Sequence, residues 1–132
     1  MVSSITLKNL IIGYRSKHQL RAIASPVHAS LQAGELTCLI GANGVGKSTL
    51  LRTLAGFQPA LDGEILILDK SLSDFSAQEL AREISIVLTS KTDHAQLSAE
   101  EIVGIGRSPY TGFWGTLSAA DKQIVASALQ ET

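Results

Sequence analysis

Nine consecutive residues, Gly41-Ala42-Asn43-Gly44-Val45-Gly46-Lys47-Ser48-Thr49, constrain this chain more than any other feature of it. They fit G-x-x-x-x-G-K-[ST], the pattern of a loop that wraps the phosphates of a nucleoside triphosphate. Glycines let the main chain turn its N–H groups inward around phosphate oxygens, Lys47 adds a charged donor, and Ser48 offers a hydroxyl to Mg²⁺. Such a loop belongs between a buried strand and a helix, and the flanks agree. Residues 35–40 form a short apolar run of strand length, bounded before it by Ala33-Gly34. After the loop, Leu50, Leu51 and Leu54 are expected on one helical face, with Gly56 stopping the helix. A triphosphate would then meet a helix N-terminus, where free N–H groups and the helix dipole favour an anion. The plain alternative is a glycine-rich surface turn.

The 132 residues suffice for one domain with a modest core. Eleven basic and twelve acidic side chains give a net charge of -1, with no basic block, which argues against nucleic acid as a partner. No stretch approaches the roughly 20 apolar residues of a membrane span, and residues 1–14 lack the basic segment and long apolar core of a signal peptide. A soluble, cytoplasmic chain is expected. The single cysteine, Cys38, alternates with leucines in an expected core strand and reads as a buried, inert thiol. His18, His28 and His94 are scattered without ligand-like spacing, so no protein-built metal site is expected.

Along the chain, residues 5–10 alternate with period two, and residues 22–31 form a weaker extended region interrupted by Pro26, together suggesting an antiparallel layer. Asp62-Gly63 opens a strand over residues 64–68, with a hairpin-like return at Asp69-Lys70. Ser76-Ala77-Gln78-Glu79 is a capping-box pattern for a short helix over 77–82, followed by a buried strand at 84–88. Ser98-Ala99-Glu100-Glu101 and Ser118-Ala119-Ala120-Asp121 start two more helices, the second with Ile124, Val125, Ala128 and Leu129 as its apolar stripe. Residues 104–115, rich in Gly and aromatics, read as an ordered loop.

A β-rich opening with Tyr14, a phosphate loop 27 residues later, the Asp62-Gly63-Glu64-Ile65 strand and a helical segment near the end together resemble the ATP-binding cassette (ABC) transporter ATPases. Residues 102–112, with Gly106-Arg107-Ser108-Pro109-Tyr110, look most like the class that powers import of iron-siderophore, haem and cobalamin complexes. The resemblance implies an α/β phosphate-loop NTPase with an antiparallel β layer and the start of a helical subdomain. Residues 1–96 would form the β layer and phosphate-loop core, and residues 97–132 the helical part. It also implies ATP and Mg²⁺ as cofactors, permease subunits and a second ATPase subunit as partners, and a place on the inner face of the cell membrane. Tyr14 would stack on adenine, a contact worth about 1 to 3 kcal/mol. Gly41 and residues Asn43, Gly44, Val45, Gly46, Lys47, Ser48 and Thr49 would cradle the phosphates, with Lys47 on the β- and γ-phosphates, Ser48 on Mg²⁺ and Thr49 on the α-phosphate. Tyr110, Phe113 and Trp114 would lie on the surface facing the membrane subunit, or pack within the helical part.

The chain also departs from the family. Where the strand at 84–88 should lead to a glutamine that touches Mg²⁺ and the attacking water, Thr89 stands, shorter and without an amide donor; Gln96 is an alternative group from the same segment. Leu117-Ser118-Ala119-Ala120-Asp121 lacks the glycines and glutamine of the family signature and reads as a helix N-cap. No apolar strand ending in an Asp-Glu pair follows the loop, so the chain is read as the front half of such a domain, binding nucleotide without efficient hydrolysis. The rival readings are a non-catalytic nucleotide-binding switch and a phosphate-loop kinase or GTPase; the Asn-Lys-x-Asp motif of guanine recognition is absent.

Overall fold

The computed structural model describes residues 3–17, 19–87, 97–112 and 114–131, which fall in two compact units, Met1–Ser76 and Ala77–Thr132. The first unit contains β1 (Ser3–Ile11), β2 (Gly13–Ser16), β3 (Gln19–Ala22), β4 (Val27–Gln32), α1 (Lys47–Leu54), β5 (Asp62–Ile67) and β6 (Lys70–Ser71). Strands β4-β1-β5-β6 form one antiparallel sheet in that order, and β2 and β3 pair as a separate hairpin. This is the antiparallel layer that the alternating pattern predicts, with the break before Pro26 separating β3 from β4. Leu68 (φ 48) and Asp69 (φ 64) are the two central residues of the β5–β6 turn, both left-handed as a type I′ turn requires. Asp69 is therefore a turn residue, as its sequence context indicates.

Leu7 and Leu10 are both buried although their spacing of three should put them on opposite faces of β1. The ladder to β4 shifts register between Leu7 and Leu10, and Asn9 takes φ 49, so a bulge rephases the strand and returns Leu10 to the core. Leu7, Leu10, Ile12 and Ile65 form the centre of that core, and Leu50 and Leu54 of α1 pack against it. Leu50 and Leu54 are partly buried, so each contributes less than a fully buried aliphatic side chain, worth about 1.5–3 kcal/mol, and together they fasten α1 to the sheet. Leu51 is exposed. One residue on from Leu50 it lies a quarter-turn or so around the helix, so the face is set by the i, i+4 pair alone. The helix ends where Gly56 indicates, in a Schellman arrangement: Gly56 N–H donates to the Thr53 carbonyl at 3.1 Å and Phe57 N–H to Arg52 at 3.0 Å.

Two expected strands are not found. Residues 35–40 run without a ladder partner among the described residues, with Leu36 93% and Ile40 90% exposed. Cys38 is consequently exposed, correcting the expectation of a buried thiol. Residues 84–87 are likewise unpaired among the described residues, with Val87 exposed; Leu88 lies outside them. A β-rich apolar run becomes a strand only when a neighbour takes its N–H and C=O groups, and no described strand lies alongside either segment.

The second unit contains α2 (Ala77–Glu83), α3 (Ala99–Ile105) and α4 (Ala119–Gln130). Both α3 and α4 begin with complete capping boxes, Ser98 with Glu101 and Ser118 with Asp121. Of the stripe expected on α4, Val125 is buried but Ile124 and Leu129 are exposed. The face is chosen instead by Asp121, one turn before Val125, which Arg107 holds through Nε and Nη2, both 2.9 Å from Oδ1. Residues 104–115 are less irregular than predicted, since α3 runs to Ile105 and Ser108–Tyr110 make one 3₁₀ turn. That turn is fixed by the Pro109 carbonyl, which accepts from Gln78 Nε2 (2.9 Å) and from Arg82 Nε (3.0 Å) and Nη2 (2.8 Å). Arg107 also stacks on the Tyr110 ring at 4.0 Å. The Gly106-Arg107-Ser108-Pro109-Tyr110 run is thus an internal latch of this unit; Trp114 is exposed, and Phe113 is outside the described residues.

Gly13 and Ala22 are partners in the β2–β3 ladder, and a Cβ on Gly13 would collide with the Arg21 carbonyl oxygen and approach Leu61 Cδ1 to 2.6 Å. Gly13→Ala should destabilise the first unit by about 1–3 kcal/mol, read as a lower urea midpoint; an unchanged midpoint would show that the hairpin is not held as described. The Ser118 hydroxyl and then the Arg107 guanidinium hold the Asp121 carboxyl below the usual carboxylate range, and the Ser98 N–H does the same for Glu101. A depressed pKa stabilises the fold above the unfolded value of about 4, and that contribution disappears as pH falls through the lower folded value. Midpoints of thermal melts followed by circular dichroism should therefore fall as pH drops below about 4, and Ser118→Ala should reduce that fall; an unchanged fall in the variant would contradict the assignment.

Candidate nucleotide-binding site

Gly46 is the N-cap of α1 at φ 108, and a Cβ there would approach Ile23 Cγ2 to 2.8 Å, so both its conformation and its surroundings require glycine. The first-turn N–H groups of α1 have no carbonyl one turn back to reach and point out of the helix end. No acidic side chain occupies that first turn, and no side chain caps it. Lys47, the first helical residue, curls its ammonium back onto the loop, donating to the carbonyls of Gly41 (2.7 Å) and Ala42 (2.8 Å). An ammonium has three protons, so one donor remains for a ligand.

The cleft above this helix end has a volume of about 540 Å³, within the range of small-molecule sites. The loop and helix contribute Asn43, Gly44, Gly46, Lys47, Ser48 and Thr49; the β2–β3 side contributes Tyr14, Arg21, Ala22 and Ile23. Tyr14 is 51% exposed, and its hydroxyl shares a 3.2 Å hydrogen bond with Thr49 Oγ1. Thr49 is buried, and its carbonyl accepts from the buried Thr53 hydroxyl at 2.8 Å. The structure thus brings Tyr14 and six of the eight expected loop residues to one cleft. Gly41 contributes its carbonyl to Lys47 rather than a wall, and the exposed Val45 side chain faces Gly41 instead of the cleft. Thr89 and Gln96 lie outside the described residues.

Sequence reading missed Arg21, Ala22 and Ile23. The available signal was the spacing of the hairpin, which pairs Tyr14 with Arg21 across the ladder. Among the described lining residues the charged side chains are Arg21 and Lys47, both cationic, and no described carboxylate joins them. Main-chain N–H groups, an ammonium, a guanidinium and three hydroxyls form a donor set that suits a polyphosphate and opposes a cationic or neutral apolar ligand. For Mg²⁺ the cleft provides the Ser48 hydroxyl; the remaining oxygens of an octahedral site would be phosphate and water. No group of three or more His, Cys, Asp or Glu side chains capable of holding a metal occurs among the described residues.

Residues 24–132 match the family model described as ABC transporter. The chain belongs to this family. An ABC transporter ATP-binding protein of Haemophilus influenzae is 38% identical over 94% of the chain and 46% of its own length. The iron(3+)-hydroxamate import ATP-binding protein of Bacillus subtilis is 30% identical over 99% of the chain and 47% of its length. The hemin import ATP-binding protein of Streptomyces coelicolor is 37% identical over 85% and 39%. The chain therefore spans less than half the length of these relatives. Its fold matches that of a dimeric ATP-binding cassette in a post-hydrolysis state with ADP and Pi, at a TM-score of 0.75 over 96% of the chain and 56% of that structure, with 23% identity. The ABC ATPase fold that the family resemblance implies is thereby shown.

Lys47→Ala should weaken nucleotide binding by about 2 kcal/mol, roughly thirty-fold, through loss of charged hydrogen bonds to phosphate. A titration with a fluorescent ATP analogue reads this directly, and an unchanged dissociation constant would remove Lys47 from the site.

Proposed function

We propose that this chain is the nucleotide-binding portion of an ABC transporter ATPase that binds MgATP at the N-terminus of α1. The observation that carries this reading is the coincidence, in one cleft, of the Gly46-capped helix end, the Lys47 ammonium and the Tyr14 ring. The Ser48 hydroxyl would help hold Mg²⁺, which would supply charge neutralisation at the phosphates. The chain's own groups do the positioning: the first-turn N–H groups hold phosphate oxygens, Lys47 the β- and γ-phosphates, Ser48 a metal position, and Tyr14 the adenine face. Gly41 sets the direction of the Lys47 side chain by accepting from it.

In the whole protein the role follows from the family: two ATPase subunits bind ATP, and their cycle drives permease subunits at the inner face of the membrane. No described helix of this chain is long and apolar enough to cross a membrane, consistent with a peripheral ATPase working on separate membrane partners. The names of the relatives, iron(3+)-hydroxamate and hemin import proteins among them, support an importer of iron-siderophore or haem complexes; cobalamin rests on the resemblance of residues 102–112 alone. By itself the chain binds nucleotide and hydrolyses it poorly. Among the described residues no carboxylate, glutamine or histidine lines the cleft to orient an attacking water, and phosphoryl transfer depends almost wholly on such positioning.

A steady-state assay of the 132-residue chain with MgATP should give turnover far below about 1 per second, the low end of typical enzymes, alongside measurable binding. Turnover at that level would contradict the division between binding and hydrolysis. Deletion of the gene should abolish uptake of one of radiolabelled ferric siderophore, haem or cobalamin; normal uptake of all three would refute the importer reading.

A further inference from the structure

Arg21 is the second cation of the cleft, and the phosphate-loop motif does not account for it. It lies directly across the β2–β3 ladder from Tyr14, and opposed residues of an antiparallel pair present their side chains on the same face. Both line the cleft together with Lys47. Arg21 is exposed, and no hydrogen bond or ion pair ties its guanidinium to another described residue. An arginine carries five N–H donors in a rigid fork and no acceptor, so a guanidinium facing a cleft with no carboxylate among its described lining residues matches a ligand rich in oxygen acceptors.

The hairpin fixes which part of the ligand that is. The Tyr14 hydroxyl is bonded to Thr49, the third residue of α1, so the β2–β3 wall borders the first turn of the helix, while the Lys47 ammonium is held on the loop by Gly41 and Ala42. A nucleotide with its terminal phosphates at Lys47 extends its nucleoside end toward Tyr14 and Arg21. Building on the nucleotide-binding reading above, we propose that Arg21 is a nucleotide-binding residue whose guanidinium donates to the sugar and first phosphate, beside the ring of Tyr14, while Lys47 holds the distal phosphates. The two cations then divide the ligand between them. Affinity for the nucleoside monophosphate part depends on Arg21, and discrimination between triphosphate and diphosphate depends on Lys47.

The test is a competition titration of ATP and of ADP against a fluorescent ATP analogue, using the wild-type chain, Arg21→Ala, Arg21→Gln and Lys47→Ala. Both Arg21 variants should weaken ATP and ADP by the same factor, about five-fold, the loss of one charge-assisted contact at an exposed site, with far-UV circular dichroism unchanged. Lys47→Ala should weaken ATP more than ADP. Wild-type affinity in either Arg21 variant, or a loss that is larger for ATP than for ADP, would overturn the assignment of Arg21 to the nucleoside end. A wild-type chain that binds neither nucleotide would instead overturn the nucleotide-binding reading itself, so the two failures are distinguishable.

Discussion

The site depends on one unsatisfied helix end. The first-turn N–H groups of α1 have no intrahelical acceptor, and the chain leaves them without acidic or capping side chains. In most helices such an end is closed by a Ser, Thr, Asp or Asn side chain, as Ser98 and Ser118 close α3 and α4 in the second unit. At α1 the N-cap is Gly46, which supplies no oxygen, and the preceding loop supplies more N–H groups and one ammonium. The contrast within a single chain sets two helix ends closed by their own side chains against one whose donors stay available to an anion.

The rest of the first unit holds that end in place. Leu50 and Leu54 bind the helix to Leu7, Leu10, Ile12 and Ile65, and the bulge at Asn9 is what brings Leu10 into that cluster. Ile12 leads into the hairpin whose two strands carry Tyr14 and Arg21 to the cleft, while Ile23 packs so closely on Gly46 that no side chain fits there. Core, hairpin and phosphate loop are consequently coupled: the residues that bury the sheet also set the width of the cleft between Tyr14 and the helix end.

The phosphate loop was legible because its chemistry is local: nine adjacent residues specify a backbone curve and a charge. The capping boxes at Ser98 and Ser118, the turn at Asp69 and the stop at Gly56 were legible for the same reason. Pairing is not local, and there the sequence was a poorer guide. Residues 35–40 and 84–87 have the composition of core strands, yet no described strand lies beside them, and Cys38 is exposed with its segment. Arg21 escaped notice because its neighbour Tyr14 is seven positions away along the chain and adjacent only through the register of a hairpin. The face of α4 was misjudged because the partly buried Arg107–Asp121 pair, a polar contact, outweighs the apolar stripe that periodicity favours.

The most direct test of the central claim is a map of backbone amide shifts by nuclear magnetic resonance as a non-hydrolysable MgATP analogue is added to the isotopically labelled chain. If main-chain donors at the start of α1 hold the phosphates, the largest shifts will fall on Gly44, Gly46, Lys47, Ser48 and Thr49, with smaller ones on Tyr14 and Arg21. Shifts that avoid those amides, or that concentrate in the second unit, would contradict the account.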